Sequence, residues 1–279
     1  MRPTTLMTGI VMGECPRWHE DRLWFSDWGA QRLMTVDPAG NSEVVVNVPS
    51  MPSCVGWLPN GQTLVLSSVE QRLARLLDGE LVTHADLSGL PAKPWNEVVV
   101  DRRGNAFVNN IGFEFPRGEY APGFVAVVPP EGEPRVVAGD FAFPNGMAVT
   151  PDGSTLIVAE SYSARLTAFD IEPDGGLGNR RVWADLGEGA APDGICLDAD
   201  GAVWYASVPG RHCVRVREGG EVLATVDTEL ACFACALGGP DGRTLFIIAA
   251  EWPLGWPLGT DGRRTGQVQT IRVDVPGVA

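Results

Sequence analysis

Four oxygen-bearing side chains recur at equivalent places in this sequence: Glu14, Asn96, Asn145 and Asp193. Each heads a short apolar run. Asn145 and Asp193 stand in matched contexts, Phe143-Pro144-Asn145-Gly146-Met147-Ala148 and Ala191-Pro192-Asp193-Gly194-Ile195-Cys196. Carboxylates and amide carbonyls are the donors that hard cations such as calcium and magnesium take. A cation held on such a set can polarise a carbonyl and stabilise an oxyanion. No His stands at these positions, which argues against a dedicated zinc or copper site. Turn chemistry explains Pro-Asn-Gly or Pro-Asp-Gly taken singly. It does not favour Glu at position 14, and it does not place four oxygen donors in register.

A repeat is what would position them. From Asn145 the turn glycine Gly153 lies eight residues on, and the same spacing separates Asp193 from Gly201, Asn96 from Gly104, Ser53 from Gly61 and Ala234 from Gly242. The copy at Glu14 turns at Glu20-Asp21-Arg22 without a glycine. Six copies are thus anchored at Glu14, Ser53, Asn96, Asn145, Asp193 and Ala234, at intervals of 39, 43, 49, 48 and 41 residues. Past its turn each copy has a second β-forming run, such as Leu23–Ser26 or Leu156–Ala159, and a third, alternating one, such as Arg165–Asp170. Five copies close with a fourth.

Four strands per repeat of about 40–50 residues is the pattern of a propeller blade. The expected fold is all-β: one six-bladed β-propeller of four-stranded blades spanning residues 1–279 as a single domain. The sixth copy lacks its fourth strand, and Thr4–Thr8 is expected to supply it, closing the ring and hiding the open sheet edges. First strands lie nearest the axis, so the anchors should ring one end of the channel. Two Gly/Pro-punctuated insertions, Asn110–Gly123 and Glu251–Gly259, read as lids or binding loops.

Hydrophobic content of 44% supports a sizeable core, and 34 Gly with 22 Pro fits many short strands and tight turns. A net charge of −14 argues against a nucleic-acid partner, whose phosphates it would repel. The N-terminus lacks an apolar signal core and no run approaches the ~18 apolar residues of a spanning helix, so the chain reads as cytoplasmic with no membrane partner. Six cysteines show no disulfide-scaffold spacing, and Cys232-Phe233-Ala234-Cys235 is a lone CxxC. Cys15, Cys54, Cys196 and Cys235 fall at or just after anchors and read as small buried hydrophobes. Oligomeric state is left open.

Gly13-Glu14-Cys15-Pro16-Arg17-Trp18 with Leu23-Trp24-Phe25-Ser26-Asp27, Pro144-Asn145-Gly146-Met147-Ala148 and Pro192-Asp193-Gly194-Ile195-Cys196-Leu197-Asp198 carry a family resemblance. Over essentially its whole length the chain resembles the SMP-30/gluconolactonase/luciferin-regenerating (regucalcin-like) family. The resemblance implies a six-bladed propeller that hydrolyses lactones with a divalent metal. By it Glu14, Asn145 and Asp193 are the metal ligands, Asp193 is also the general base, with activation of the water by the metal alone as the alternative, and Asn96 contacts substrate or a water. Calcium is the first expectation for the metal, with zinc, magnesium or manganese as alternatives. The family also holds phosphotriesterases, so an organophosphate or ester hydrolase on the same site is the alternative enzyme reading. A non-catalytic metal-binding propeller is the alternative outside enzymes.

One departure bears on substrate. Sugar-lactone members of the family carry Arg-x-Asn-Asp at the third anchor; here the stretch is Pro94-Trp95-Asn96-Glu97. Asn96, Trp95, Glu97 and Phe113 are the expected substrate contacts. No Arg or Lys is nearer this anchor in sequence than Lys93, whereas Phe113, Phe115, Phe141, Phe143, Trp252 and Trp256 cluster near anchors and insertions. The expected substrate is a small-molecule lactone, either a sugar lactone or a more apolar one. The apolar lactone is expected to be turned over better, with gluconolactone still accepted.

Overall fold

Gly61, Gly104, Gly153, Gly201 and Gly242 all adopt φ between 71° and 89°, the left-handed turn conformation their spacing implied. In the first copy Glu20 and Asp21 take φ of 47° and 59°, so a two-residue hairpin turn forms there without glycine. Each of these turns joins the first strand of a copy to its second, and among the described residues 24 strands form six four-stranded antiparallel sheets. The sheets are the blades of a six-bladed β-propeller. The computed structural model describes residues 2–51, 53–91, 94–252 and 263–278. No helix long and apolar enough to cross a membrane occurs among them.

The inner strands are Gly13–His19, Ser53–Trp57, Trp95–Val100, Pro144–Val149, Pro192–Leu197 and Ala231–Gly238, each opening at or just before an anchor. The second strands are almost wholly buried, as runs without clear alternation require. Aliphatic and aromatic side chains from facing sheets fill the space between neighbouring blades. Blade six is completed by the N-terminal strand Thr4–Ile10, which pairs with Gly266–Arg272, from Thr4 opposite Thr270 to Ile10 opposite Gly266. The expected ring closure is therefore present.

At the other end of the chain, Asp198 bridges Gly277 and Ala199 N–H donates to Pro276, so the C-terminal segment crosses the far end of the channel. A cavity of about 300 Å³ lies behind it, lined by Arg17, Trp57, Val98, Met147, Leu197 and Val278 among others and by none of the four oxygen-bearing anchors.

Asn145 and Asp193 lie inside strands, and the glycines after them answer to close approach rather than to a turn. A Cβ on Gly146 would stand 2.6 Å from the Asp193 carbonyl oxygen, and one on Gly194 would stand 2.5 Å from the Ala234 Cβ. Neighbouring inner strands touch backbone to backbone here, which draws the anchors toward the axis.

Candidate active site

Five of the six inner strands slip register at their anchor. The irregularities fall between Glu14 and Arg17, Trp95 and Val98, Pro144 and Met147, Pro192 and Ile195, and Cys232 and Ala234. Only Ser53–Trp57 pairs regularly. A bulge re-aims a side chain that ordinary pleating would commit to a sheet face. In blade three Asn109 of the second strand fills the slip: its Oδ1 accepts from Glu97 N–H, and its Nδ2 donates to the Asn145 carbonyl.

The four oxygen-bearing anchors meet. Asn96 Nδ2 donates to Asn145 Oδ1 at 3.1 Å, joining blades three and four. Asn145 Nδ2 donates to Ser161 Oγ at 3.3 Å, and that hydroxyl donates to the Pro192 carbonyl at 2.7 Å, next to Asp193. Glu14 and Asp193 are buried, at 5% and 9% exposure. Burial, then the charges of Asp193 and Glu97, hold the Glu14 carboxyl well above its ordinary pKa, against one hydrogen bond from Cys15 N–H. Burial and the charge of Glu97 do the same to Asp193, against a hydrogen bond from Asn145. Buried acids this close are short of positive charge.

That shortage tests the fit of a cation to the site. Two buried carboxylates and two amides on four blades offer oxygen donors only, the set a hard divalent ion takes, leaving places for water or substrate. Glu14, Asn145 and Asp193 would hold the ion, with Asn96 beside them.

The expected substrate contacts divide. Asn96 stands in the ring. Phe113 belongs to an aromatic group at the blade-three insertion, with ring centroids 5.7 Å from Phe143, 6.3 Å from Phe115 and 5.6 Å from Tyr120. Tyr162 completes it, 4.8 Å from Phe143. This group flanks the ring, because Phe143 precedes Pro144-Asn145 and Tyr162 follows Ser161. A second apolar group, Met12, Phe233 and Ala250 with Trp28 against them, adjoins the anchors at Glu14 and Ala234, with Trp252 6.1 Å from Phe233.

Trp95 is placed differently. It is fully buried between blades, edge-on to Phe124 at 5.4 Å, and has no surface to offer a substrate. Phe141 is likewise interior, packed on Phe169 under the Arg180 guanidinium. Lys93 and Trp256 lie outside the described residues, as does most of the blade-six insertion.

Glu97 is 4% exposed and engaged: Arg17 donates to its Oε1 at 2.7 Å, and the Cys54 thiol lies 2.6 Å from the same oxygen. A cation therefore does stand beside the third anchor, brought from blade one across 80 residues. Sequence reasoning passed over Arg17 although it sits three residues after Glu14. It also passed over Asn109 and Ser161, whose only signal is their place at the end of a second strand facing an anchor.

Comparisons with known proteins agree with this architecture. Residues 12–251 match the model of the SMP-30/Gluconolactonase/LRE-like region. The chain is 29% identical to a 6-deoxy-6-sulfogluconolactonase of Pseudomonas putida, over 96% of this chain and 94% of the relative. It is 27% identical to a pentonolactonase of Haloferax volcanii, over 96% and 92%. Among solved structures, regucalcin from Agrobacterium tumefaciens, described as a calcium-binding protein, superposes with a TM-score of 0.83 at 22% identity, covering 99% of this chain and 95% of that one. A gluconolactonase from Xanthomonas campestris gives 0.78 at 22% identity, over 98% and 89%. These likenesses show the shared fold, and the match over residues 12–251 shows the descent: the chain belongs to the SMP-30/gluconolactonase/LRE-like family.

Proposed function

We propose that this protein is a divalent-metal-dependent lactone hydrolase whose substrate carries an apolar substituent. The observation that carries the reading is the meeting of Glu14, Asn96, Asn145 and Asp193, from four blades, at one end of the channel. The names of the Pseudomonas and Haloferax relatives supply the reaction class. Calcium is the first candidate ion, since every donor is a hard oxygen; magnesium, manganese and zinc are the alternatives.

When bound, the ion would polarise the lactone carbonyl, offset the charge of the developing oxyanion and keep Glu14 and Asp193 ionised. The remaining work falls to the chain. Asp193, the general base that the family resemblance implies, would take the proton of an attacking water through the oxygen that the ion leaves free. Asn96 directs its amide into the ring and orients substrate. Asn109 and Ser161 hold Asn145 in place through its carbonyl and its amide.

Phe113, Phe143 and Tyr162 on one side, with Phe233 and Trp252 on the other, would bury the substituent, at about 25 cal/mol per Å² of apolar surface. Sugar hydroxyls set against the same walls would each lose about 1–3 kcal/mol for want of partners. The test is kcat/KM for an alkyl- or aryl-substituted lactone against gluconolactone. The apolar substrate is expected to lead, and a tenfold or greater preference for gluconolactone would overturn the apolar-pocket reading while leaving lactone hydrolysis in place.

A further inference from the structure

Directly beneath the oxygen ring, Cys15, Cys54 and Glu97 bring their ligand atoms within 4.8 Å of one another. They come from the inner strands of blades one, two and three, and all are buried, at 3%, 0% and 4% exposure. We propose that these three side chains form a second cation site, soft where the first is hard, that takes a thiophilic divalent ion such as zinc or cadmium.

Donor type is the first argument. Thiolate sulfur selects zinc and softer ions over calcium and magnesium, so the two sites sort different metals although they adjoin. Size is the second. Zinc bonds of about 2.3 Å to sulfur and about 2.0–2.2 Å to carboxylate set tetrahedral ligands roughly 3.5–3.8 Å apart. The three ligand atoms already lie within 4.8 Å of one another. Cys54 Sγ and Glu97 Oε1, now 2.6 Å apart, would open by about 1 Å to admit the ion. The Asn96 carbonyl oxygen, 3.9 Å from Cys15 Sγ, stands at hand for a further contact.

Charge is the third argument. Two thiolates and the Glu97 carboxylate sum to three negative charges. A divalent ion and the Arg17 guanidinium, already 2.7 Å from Glu97, supply three positive ones. A buried site of that kind is tolerable only when its charges balance. The two thiol protons leave to solvent as the ion binds. Elsewhere Cys196 and Cys235 place their sulfurs 3.9 Å apart, but among the described residues no group of three metal-ligating side chains forms around them. Occupancy would be felt at the oxygen ring, because Cys15 N–H donates to Glu14 Oε2 at 3.3 Å.

The experiment titrates calcium-saturated protein with cadmium and follows the ultraviolet sulfur-to-cadmium charge-transfer band. Oxygen donors cannot produce that band, so the result is independent of the lactonase reading. One equivalent should saturate it. The band should be lost in Cys15→Ser/Cys54→Ser and kept in Cys196→Ser/Cys235→Ser, and Glu97→Gln should weaken binding at least tenfold. A band that survives in the first double variant overturns the site. Anomalous scattering from a cadmium-soaked crystal of the unsubstituted protein needs no variant: a peak among the three side chains supports the proposal, and its absence there refutes it.

Discussion

Arg17 of blade one donates to Glu97 of blade three at 2.7 Å, and it is the cation set against a carboxylate that also faces Glu14 and Asp193. Glu97 is almost fully buried, so removing its partner leaves an uncompensated charge inside the channel. Arg17→Met is expected to lower stability by about 3–5 kcal/mol, and Arg17→Met/Glu97→Met to recover most of that loss. Urea unfolding of the two single variants and the double measures the coupling. Additive losses would show that the pair is incidental.

Glu14 leads to a prediction of opposite sign. Its folded carboxyl titrates well above the unfolded value of about 4.3, so in metal-free protein the folded state holds the proton more tightly. Stability from this group is complete below the unfolded pKa and is lost as pH rises toward the folded one. Metal-free Glu14→Gln should therefore melt higher than the parent at pH 8, by roughly 2–4 °C for each kcal/mol relieved, and the gap should close near pH 4. With cation added the order should reverse, since only the parent keeps both charged ligands. Thermal melts across pH, with and without metal, give the answer. A variant less stable than the parent at pH 8 without metal would mean that the carboxylate is not under electrostatic stress.

Ring closure rests on Thr4–Ile10 pairing with Gly266–Arg272. Deleting residues 1–9 exposes a strand edge and the core beneath Leu6 and Met7, so the melting temperature should fall markedly. A deletion variant as stable as the parent would show that the strand contributes nothing to the ring.

Phe143 and Trp95 should separate binding from packing. Phe143→Ala or Tyr162→Ala is expected to raise KM for the apolar lactone about five- to tenfold with a smaller change in kcat, the effect of losing about 1 kcal/mol of wall contact. Trp95→Ala should leave KM unaltered and lower stability by about 3–5 kcal/mol, because the indole is interior. Steady-state kinetics beside urea unfolding distinguishes the two outcomes.

The propeller was legible because its signals are local. A turn glycine recurs eight residues after five of the anchors, and an apolar run follows every turn. The oxygen-bearing anchors were legible through the same period. Trp95 was misplaced for a reason open to correction: successive side chains in a strand point to opposite faces, so the neighbour of channel-facing Asn96 faces the core. The bulges that re-aim the anchors were not legible, since a register slip leaves no mark in hydrophobic alternation. The Arg17–Glu97 pair and the Cys15–Cys54–Glu97 group were hidden for another reason. Their members are up to 82 residues apart and become neighbours only when blades one to three turn about the axis.

The central claim is that Glu14, Asn145 and Asp193 hold a divalent cation needed for hydrolysis. Its most direct test strips the protein with a chelator, confirms by circular dichroism that the fold survives, and measures lactone hydrolysis as calcium, magnesium, manganese or zinc is returned. Hydrolysis should vanish on stripping and return with metal, and in Glu14→Gln, Asn145→Ala and Asp193→Asn both calorimetric metal affinity and kcat/KM should fall together, by at least about a hundredfold. Full activity in stripped protein, or unchanged metal affinity in Asp193→Asn, would contradict it.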